Sequence, residues 1–129
     1  MTHPNENLAR EGYAAFGGSD LAKLNDMFAD DIVWHVGGRS SRSGDYRGKG
    51  AVFAFFAKSM EVSGGTFRIT PRVILANDEH VVALVTVSGS RKGKAIQDNG
   101  VQVLRVADGK VLEAWYHPAD AYAVDEFWS

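Results

Sequence analysis

Apolar residues in the first half of the chain recur at the spacing of helices. Residues 6–16 place three of them at i, i+4 and i+7, on one helical face: Ala9, Tyr13 and Phe16. A glycine pair ends this helix, and Ser19 or Asp20 can cap a second helix whose stripe is Leu21, Leu24, Met27 and Phe28. A third helix is predicted over about 50–62, with its stripe at Val52, Phe55, Phe56, Ser59 and Met60.

The apolar residues alternate in the second half, which predicts a meander of strands. These strands are Thr66–Ala76, His80–Ser90, Ala95–Ala107 and Lys110–His117. Pro71 cannot donate a ladder hydrogen bond, so the first of them lies at a sheet edge or is bulged there. A shorter strand, Ile32–Val36, precedes a loop over 37–50 that is rich in Gly, Ser and Arg.

Helices followed by a meander predict a single α+β domain over residues 1–129, with the helices packed on one face of the sheet. The predicted strand 95–107 nevertheless carries large apolar residues on both faces, with Val101 and Val103 opposite Leu104 and Val106. A sheet with one solvated face would be polar on that side. We therefore expect a second copy of the chain to cover the outer face, as a homodimer.

Composition narrows the classes of function. The chain has 129 residues, of which 45% are hydrophobic and 23% charged, as in a soluble globular protein. The net charge of −2 and the lack of a basic stripe argue against nucleic acid as a partner. Without an apolar run of membrane-spanning length, a signal peptide or a cysteine, we expect a cytoplasmic protein with no membrane partner. The four histidines are too scattered to predict a metal site.

The stretch DIVWHVGG, residues 31–38, places His35 inside a short apolar strand. Such a histidine is either a packed residue with hydrogen-bonded nitrogens or a base at a pocket. The same two interpretations, a packed residue or a residue at a pocket, remain open for Tyr13 and Gln102. Tyr13 lies on an apolar helix face, and Gln102 lies among apolar strand residues, where a buried amide requires a partner.

Three segments covering nearly the whole chain form a familiar pattern: GGSDLAKLNDMFADDIVWHVGG, GDYRGKGAVFAFF and ADGKVLEAW. This pattern resembles the SnoaL-like polyketide cyclases and the ketosteroid isomerases of the nuclear-transport-factor-two-like superfamily. The resemblance implies a cone-shaped, curved antiparallel sheet wrapped around three N-terminal helices, with a deep apolar cavity between them. The same fold carries several chemistries, so the resemblance specifies the fold better than the reaction.

The resemblance also implies catalytic positions. Ketosteroid isomerases use an Asp base, and a Tyr and a protonated Asp form their oxyanion hole. By position these three correspond to His35, Tyr13 and Gln102. A histidine, with an ordinary pKa of about 6.5, can take a proton beside a carbonyl, and the other two side chains can donate to the enolate oxygen. Such chemistry needs no cofactor.

The expected ligand is a hydrophobic small molecule. The candidate residues for contact with it are Phe16, Trp34, Tyr46, Phe56, Leu104, Tyr116, His117 and Asp120. For the last two, a simpler interpretation is a turn in which Asp120 caps a short C-terminal helix. The tail at 125–128 is expected to pack its Phe and Trp onto the domain.

Three functions follow from this pattern. The first is a cofactor-free isomerase or cyclase, with His35 as the base. The second is a protein that binds the same class of ligand without turnover. The third is epoxide hydrolysis of the limonene-epoxide type, which needs an Asp–Arg–Asp set. It is disfavoured because Asp98 and Arg105 have opposite strand parity, so their side chains face opposite ways.

Overall fold

The computed structural model describes residues 2–129 and consists of four helices and six strands. The helices are α1 (Pro4–Gly17), α2 (Leu21–Met27), α3 (Lys49–Val62) and α4 (Ala121–Trp128). The strands are β1 (Phe28–Val36), β2 (Gly44–Arg47), β3 (Arg68–Ala76), β4 (His80–Arg91), β5 (Lys94–Ala107) and β6 (Lys110–His117). The predicted α+β architecture is confirmed.

The strands form one curved, unclosed sheet in the order β2-β1-β6-β5-β4-β3. Neighbours are antiparallel except for β1 and β6, which run parallel. This pairing is the one departure from the expected antiparallel sheet. It brings the end of β1 beside the end of β6, so that the loop after β1 and the helix after β6 meet at one end of the sheet.

The largest differences from the sequence prediction lie at the start of β1 and at β2. Phe28, expected in the second helix, begins β1 instead, and its backbone N–H donates to Leu24 O to close that helix. Strand β2 lies inside the segment predicted as a loop. It exists because its backbone pairs with β1, where Trp34 lies opposite Tyr46.

Strand β3 confirms the interpretation of Pro71. The strand lies at the edge of the sheet, and its register with β4 shifts between Pro71 and Val73. The edge position and the bulge both remove the need for a hydrogen bond from the proline nitrogen.

Alternation along the strands separates an inner face from an outer face. The inner face packs against α1 and α3, and its buried residues include Val81, Ala83 and Ala114, each 0% exposed. The outer face is only partly covered and carries a row of apolar residues in register: Leu75, Val82, Val103 and Trp115. In the part of the chain that the structure describes, every helix is too short or too polar to cross a membrane.

Candidate functional site

A cavity of about 310 Å³ lies between the inner sheet face and three helices. It is bounded by α1, α3 and α4, together with the loop after β1. Seven residues with aromatic rings contribute to its wall: Phe16, Trp34, Phe55, Phe56, Phe67, Tyr116 and Trp128. A volume at the lower end of the usual range for ligand sites, with apolar walls and few polar groups, is typical of a small-molecule pocket.

Gln102 is a buried polar residue that borders this cavity. The residue is 4% exposed, and its Oε1 accepts a hydrogen bond of 2.5 Å from the Tyr13 hydroxyl. The bond fixes the amide and leaves its two N–H groups without a protein partner among residues 2–129. Tyr13 itself borders a smaller adjoining cavity of about 50 Å³, which Gln102 shares. Tyr13 therefore holds the Gln102 side chain, and Gln102, unlike Tyr13, borders the main cavity.

Burial raises the pKa of the Tyr13 hydroxyl well above its ordinary value of 10.0. The hydroxyl is therefore protonated at neutral pH and donates to Gln102. The amide is thus held in one orientation, with its nitrogen available as a hydrogen-bond donor.

Arg42 is the arginine among the residues that border the cavity. Its Cζ lies 3.9 Å from the ring centroid of Trp128 and 4.6 Å from that of Phe55. Burial lowers the pKa of Arg42 to about 10, so the guanidinium remains charged at neutral pH. Its Nε is buried without a hydrogen-bond partner in the described chain. The segment predicted as a loop over 37–50 therefore places one partly buried arginine against aromatic rings at the cavity wall.

Asp125 on α4 is the carboxylate that borders the cavity. Both of its oxygens lie 3.1 Å from the backbone nitrogen of Arg39, which donates to them. Gly38 has a positive φ of 85°, and a side chain there would clash with this carboxylate. The loop after β1 is therefore packed against α4 through Asp125.

Tyr116 is held at the cavity wall by the buried carboxylate of Asp98. The Tyr116 hydroxyl and the backbone N–H of Ala119 donate to Asp98 Oδ2, and the backbone N–H of Asp120 donates to Asp98 Oδ1. Burial, followed by the bond to Asp98, raises the pKa of Tyr116 far above 10.0. Gly100 leaves the space in which the Tyr116 hydroxyl lies, because a side chain there would clash with it.

The ring of His35 lies on the other face of the sheet. It stacks on Trp115 with centroids 5.2 Å apart and planes at 15°. Its Nδ1 is 2.7 Å from Asp45 Oδ1, and its Nε2 is 2.5 Å from Glu113 Oε2. Glu113 in turn accepts from Arg105 Nε at 3.1 Å. These four polar residues, Asp45, His35, Glu113 and Arg105, form the outer-face network.

The charge of His35 follows from that network. Burial alone would lower its pKa, but the hydrogen bonds to Glu113 and Asp45 outweigh burial and raise the pKa above 6.5. The hydrogen bond to His35 is the main cause of a lowered pKa at Glu113. Both ring nitrogens face carboxylates, so the doubly protonated, cationic ring is the favoured form.

The structure thus corrects the expected position of the His35 ring. His35 borders the cavity through its place near the end of β1, but its ring and the Gln102 amide lie on opposite sides of the sheet. The reason is strand parity: Trp34 points inward against Phe56, so the next residue points outward.

The other predicted ligand contacts divide into three groups. Five of them border the main cavity: Phe16, Trp34, Phe56, Tyr116 and His117. Leu104 borders the smaller adjoining cavity, and Tyr46 borders a third cavity between α3 and the C-terminal residues. Asp120 borders none of these three cavities. Its Oδ1 accepts from the N–H of Ala123 at 3.0 Å, which makes it the N-cap of α4, as the simpler interpretation predicts.

Sequence reasoning missed Arg42 and Asp125 as cavity residues. Arg42 lies in a polar, glycine-rich segment with no periodicity, and nothing local indicates that it is buried. Asp125 belongs to a short helix whose docking depends on the parallel pairing of β1 and β6. The expected packing of the tail is confirmed, since Phe127 and Trp128 are each 2% exposed.

Two other chemistries find little support in the described residues. Asp98 is buried behind Tyr116, whereas Arg105 lies on the outer face, so the Asp–Arg set of an epoxide hydrolase is not assembled. Within residues 2–129, no group of three or more His, Asp or Glu side chains is arranged to hold a metal ion.

Comparison with known proteins agrees with this geometry. The family model of the SnoaL-like domain matches residues 9–114. The chain belongs to the SnoaL-like family. An uncharacterised protein of Mycobacterium tuberculosis is 32% identical over 124 residues, which cover 95% of each chain.

Two solved structures share the whole fold of this SnoaL-like chain. Bal32a, from a soil-derived mobile gene cassette, is 34% identical, with a TM-score of 0.94 over 98% of this chain and 97% of that one. A Xanthomonas campestris protein of unknown function with a cystatin-like fold is 33% identical, with a TM-score of 0.90 over 95% and 96%. The expected family and fold are therefore confirmed.

Proposed function

We propose that this SnoaL-like protein binds a hydrophobic small molecule with a carbonyl group and catalyses proton transfer at the carbon beside that carbonyl. The observation that carries the proposal is the Gln102 amide, fixed by Tyr13 at the wall of an apolar cavity. A preorganised N–H donor in a water-poor site stabilises negative charge as it develops on a carbonyl oxygen.

Asp125 is the group we propose as the base. Its carboxylate borders the same cavity as Gln102. It would take a proton from the carbon beside the carbonyl, and the electron pair of that C–H bond would move onto the oxygen to give an enolate. Where the enolate is conjugated with a C=C bond, Asp125 returns the proton to the far carbon of that system and the C=C bond shifts, giving an isomer. Alternatively, the enolate carbon attacks a second carbonyl carbon of the same molecule, the π electrons of that C=O bond move onto its oxygen, and this oxygen takes the proton from Asp125 as the ring closes.

His35 is not the base in this proposal. Both of its nitrogens are engaged by carboxylates, and its ring lies on the outer face. A base must come within hydrogen-bond reach of the proton that it removes. His35 cannot meet that condition for a ligand beside Gln102 unless β1 changes its register.

Binding without turnover is the second candidate function. The observation that favours it is the engagement of both Asp125 oxygens by the backbone N–H of Arg39. An Asp125 oxygen that accepts a hydrogen bond from this loop is less free to approach a proton of the ligand.

Hydrogen–deuterium exchange distinguishes the two functions. The protein is added to 2-tetralone in D2O, and loss of the proton signal beside the carbonyl is followed by NMR. We expect exchange above the buffer rate, with a fall of about 100-fold in Asp125→Asn and a similar fall in Gln102→Leu. Asparagine keeps an acceptor for Arg39, so the first variant preserves the loop contact.

Gln97→Leu is the matched control, because Gln97 lies on the same strand as Gln102 but is exposed. It should exchange at the wild-type rate. Exchange at the buffer rate in the wild type, despite binding of the ketone, would contradict the enzyme hypothesis and support binding alone.

A further inference from the structure

We propose that Arg42 receives a negatively charged oxygen of the ligand, so that the cavity selects an aromatic molecule with an acidic group, a carboxylate being the simplest case. This inference rests on the proposed function, because it concerns the ligand of the same cavity. It adds a second polar contact in this cavity, besides the carbonyl contact that Gln102 would make.

The first argument is the missing counter-charge of Arg42. Among the described residues no carboxylate pairs with its guanidinium, and its Nε is buried without any acceptor. Removing a charge from water costs several kcal/mol unless a partner compensates it. A ligand oxygen between the terminal nitrogens would supply that partner, since guanidinium binds carboxylates through two parallel hydrogen bonds.

The second argument is that aromatic rings hold the Arg42 guanidinium in place. Three aromatic rings surround its Cζ, at 3.9 Å for Trp128, 4.6 Å for Phe55 and 5.4 Å for Phe67. The backbone is fixed as well, because the Tyr46 hydroxyl donates to Arg42 O at 2.5 Å. A donor that is already immobilised loses little entropy when a ligand binds. The same rings offer flat apolar surface to an aromatic ligand.

The third argument is the electrostatic surroundings of Arg42. On its other side it borders a third cavity of about 410 Å³, whose further charged lining residues are Lys58 and Arg91. No Asp or Glu lines that cavity within the described chain. Lys58 Nζ is 3.8 Å from Glu61 Oε1, and Arg91 Nη1 donates to Phe127 O and Ser129 O. Of these three cations, only Arg42 has a side chain without an oxygen partner in the described chain. Asp125, the acidic group of the main cavity, is bound to the backbone of the loop after β1.

An alternative role for Arg42 is purely structural, as a cationic plug that holds α4 through Trp128. A plug and an anion receptor differ in ligand selectivity. A plug would make the cavity indifferent to the charge of a ligand. A receptor would favour the ionised form of a ligand over a neutral molecule of the same shape.

The test compares 2-naphthoate with 2-naphthamide by isothermal titration calorimetry at pH 7. The two molecules share their shape and differ in charge. We expect the wild type to bind the carboxylate at least tenfold more tightly than the amide. In Arg42→Gln the two affinities should converge. Arg39→Gln, which removes an exposed arginine of the same loop, should keep the wild-type preference.

Each outcome decides the proposal. Equal affinities in the wild type would overturn the role of Arg42 and leave the proposed function standing. Binding of neither probe would contradict the proposed function as well. If Arg42→Gln does not fold, Arg42→Lys replaces it: lysine keeps the charge but not the paired hydrogen bonds, so a reduced preference for the carboxylate supports a receptor. An undiminished preference contradicts it.

Discussion

Two charged residues on opposite faces of the sheet show how far residue-scale reasoning reaches. His35 is placed between two carboxylates, whereas Arg42 has aromatic rings around it and no carboxylate. The sequence around His35 contains apolar residues of both parities, Ile32, Val33, Trp34 and Val36, so alternation alone does not say which parity faces the core. The structure answers this through the packing of Trp34 on Phe56.

The pH dependence of stability tests the outer-face network. The raised pKa of His35 means that its contribution is fully present below its ordinary value of 6.5 and is lost as pH rises through the raised folded value. The lowered pKa of Glu113 means that its contribution is present above its ordinary value of 4.5 and is lost as pH falls through the lowered folded value. The network therefore stabilises most between these two ordinary values.

His35→Gln should lower the free energy of unfolding by about 1–2 kcal/mol at pH 5.5, measured by urea denaturation. The deficit relative to wild type should shrink as pH rises past the pKa of His35, because the neutral ring has lost most of its attraction to the carboxylates. His80→Gln is the control, since His80 is an exposed histidine of β4. A deficit that is the same at every pH would contradict the charged network.

Local periodicity predicts the elements well where the pattern is long. The helices α1 and α3 and the β4–β5–β6 meander follow from spacing and from turn residues such as Asp108 and Gly109, which both have positive φ. Strand β2 does not, because four residues in a glycine-rich segment carry no period and become a strand only by pairing with β1. The position of α4 also depends on tertiary contacts, because Asp98 accepts hydrogen bonds from the turn that precedes this helix.

Asp98 is predicted to fix the turn between β6 and α4. Asp98→Ala leaves the Tyr116 hydroxyl and two backbone N–H groups without their acceptor, at a residue that is 3% exposed. We expect a loss of about 2–4 kcal/mol in the free energy of unfolding, measured with urea. Gln97→Ala, at the exposed neighbouring position, should lose less than about 0.5 kcal/mol. A small loss in both variants would show that the turn holds without Asp98.

At the scale of the whole molecule, the outer sheet face is the feature without a covering layer. Its apolar row crosses four strands in register, from Leu75 on β3 to Trp115 on β6. Leu75 is 60% exposed. The strand pattern predicts this apolar face, because large apolar residues occupy both alternating sets of positions along the strands. It does not identify what covers the face, and the homodimer remains a prediction.

Light scattering coupled to size-exclusion chromatography measures the oligomer directly. We expect twice the chain mass of 14.0 kDa for the wild type. Leu75→Lys should shift the equilibrium toward the monomer, because it introduces a charge into the apolar row. Leu21→Lys changes a leucine that is similarly exposed, at 56%, on α2, and should leave the dimer intact. A monomeric wild type at micromolar concentration would contradict the prediction.

The central claim is that the inner cavity is the ligand site, and the three tryptophans of the chain test it together. Trp34 and Trp128 border the cavity, whereas Trp115 lies on the outer face against His35. We would titrate ¹⁵N-labelled protein with 2-naphthoate and follow the three indole N–H signals, assigned with single Trp→Phe variants. The account predicts shifts of the Trp34 and Trp128 signals while that of Trp115 stays in place. A shift of Trp115 alone, or of none of the three, would contradict it.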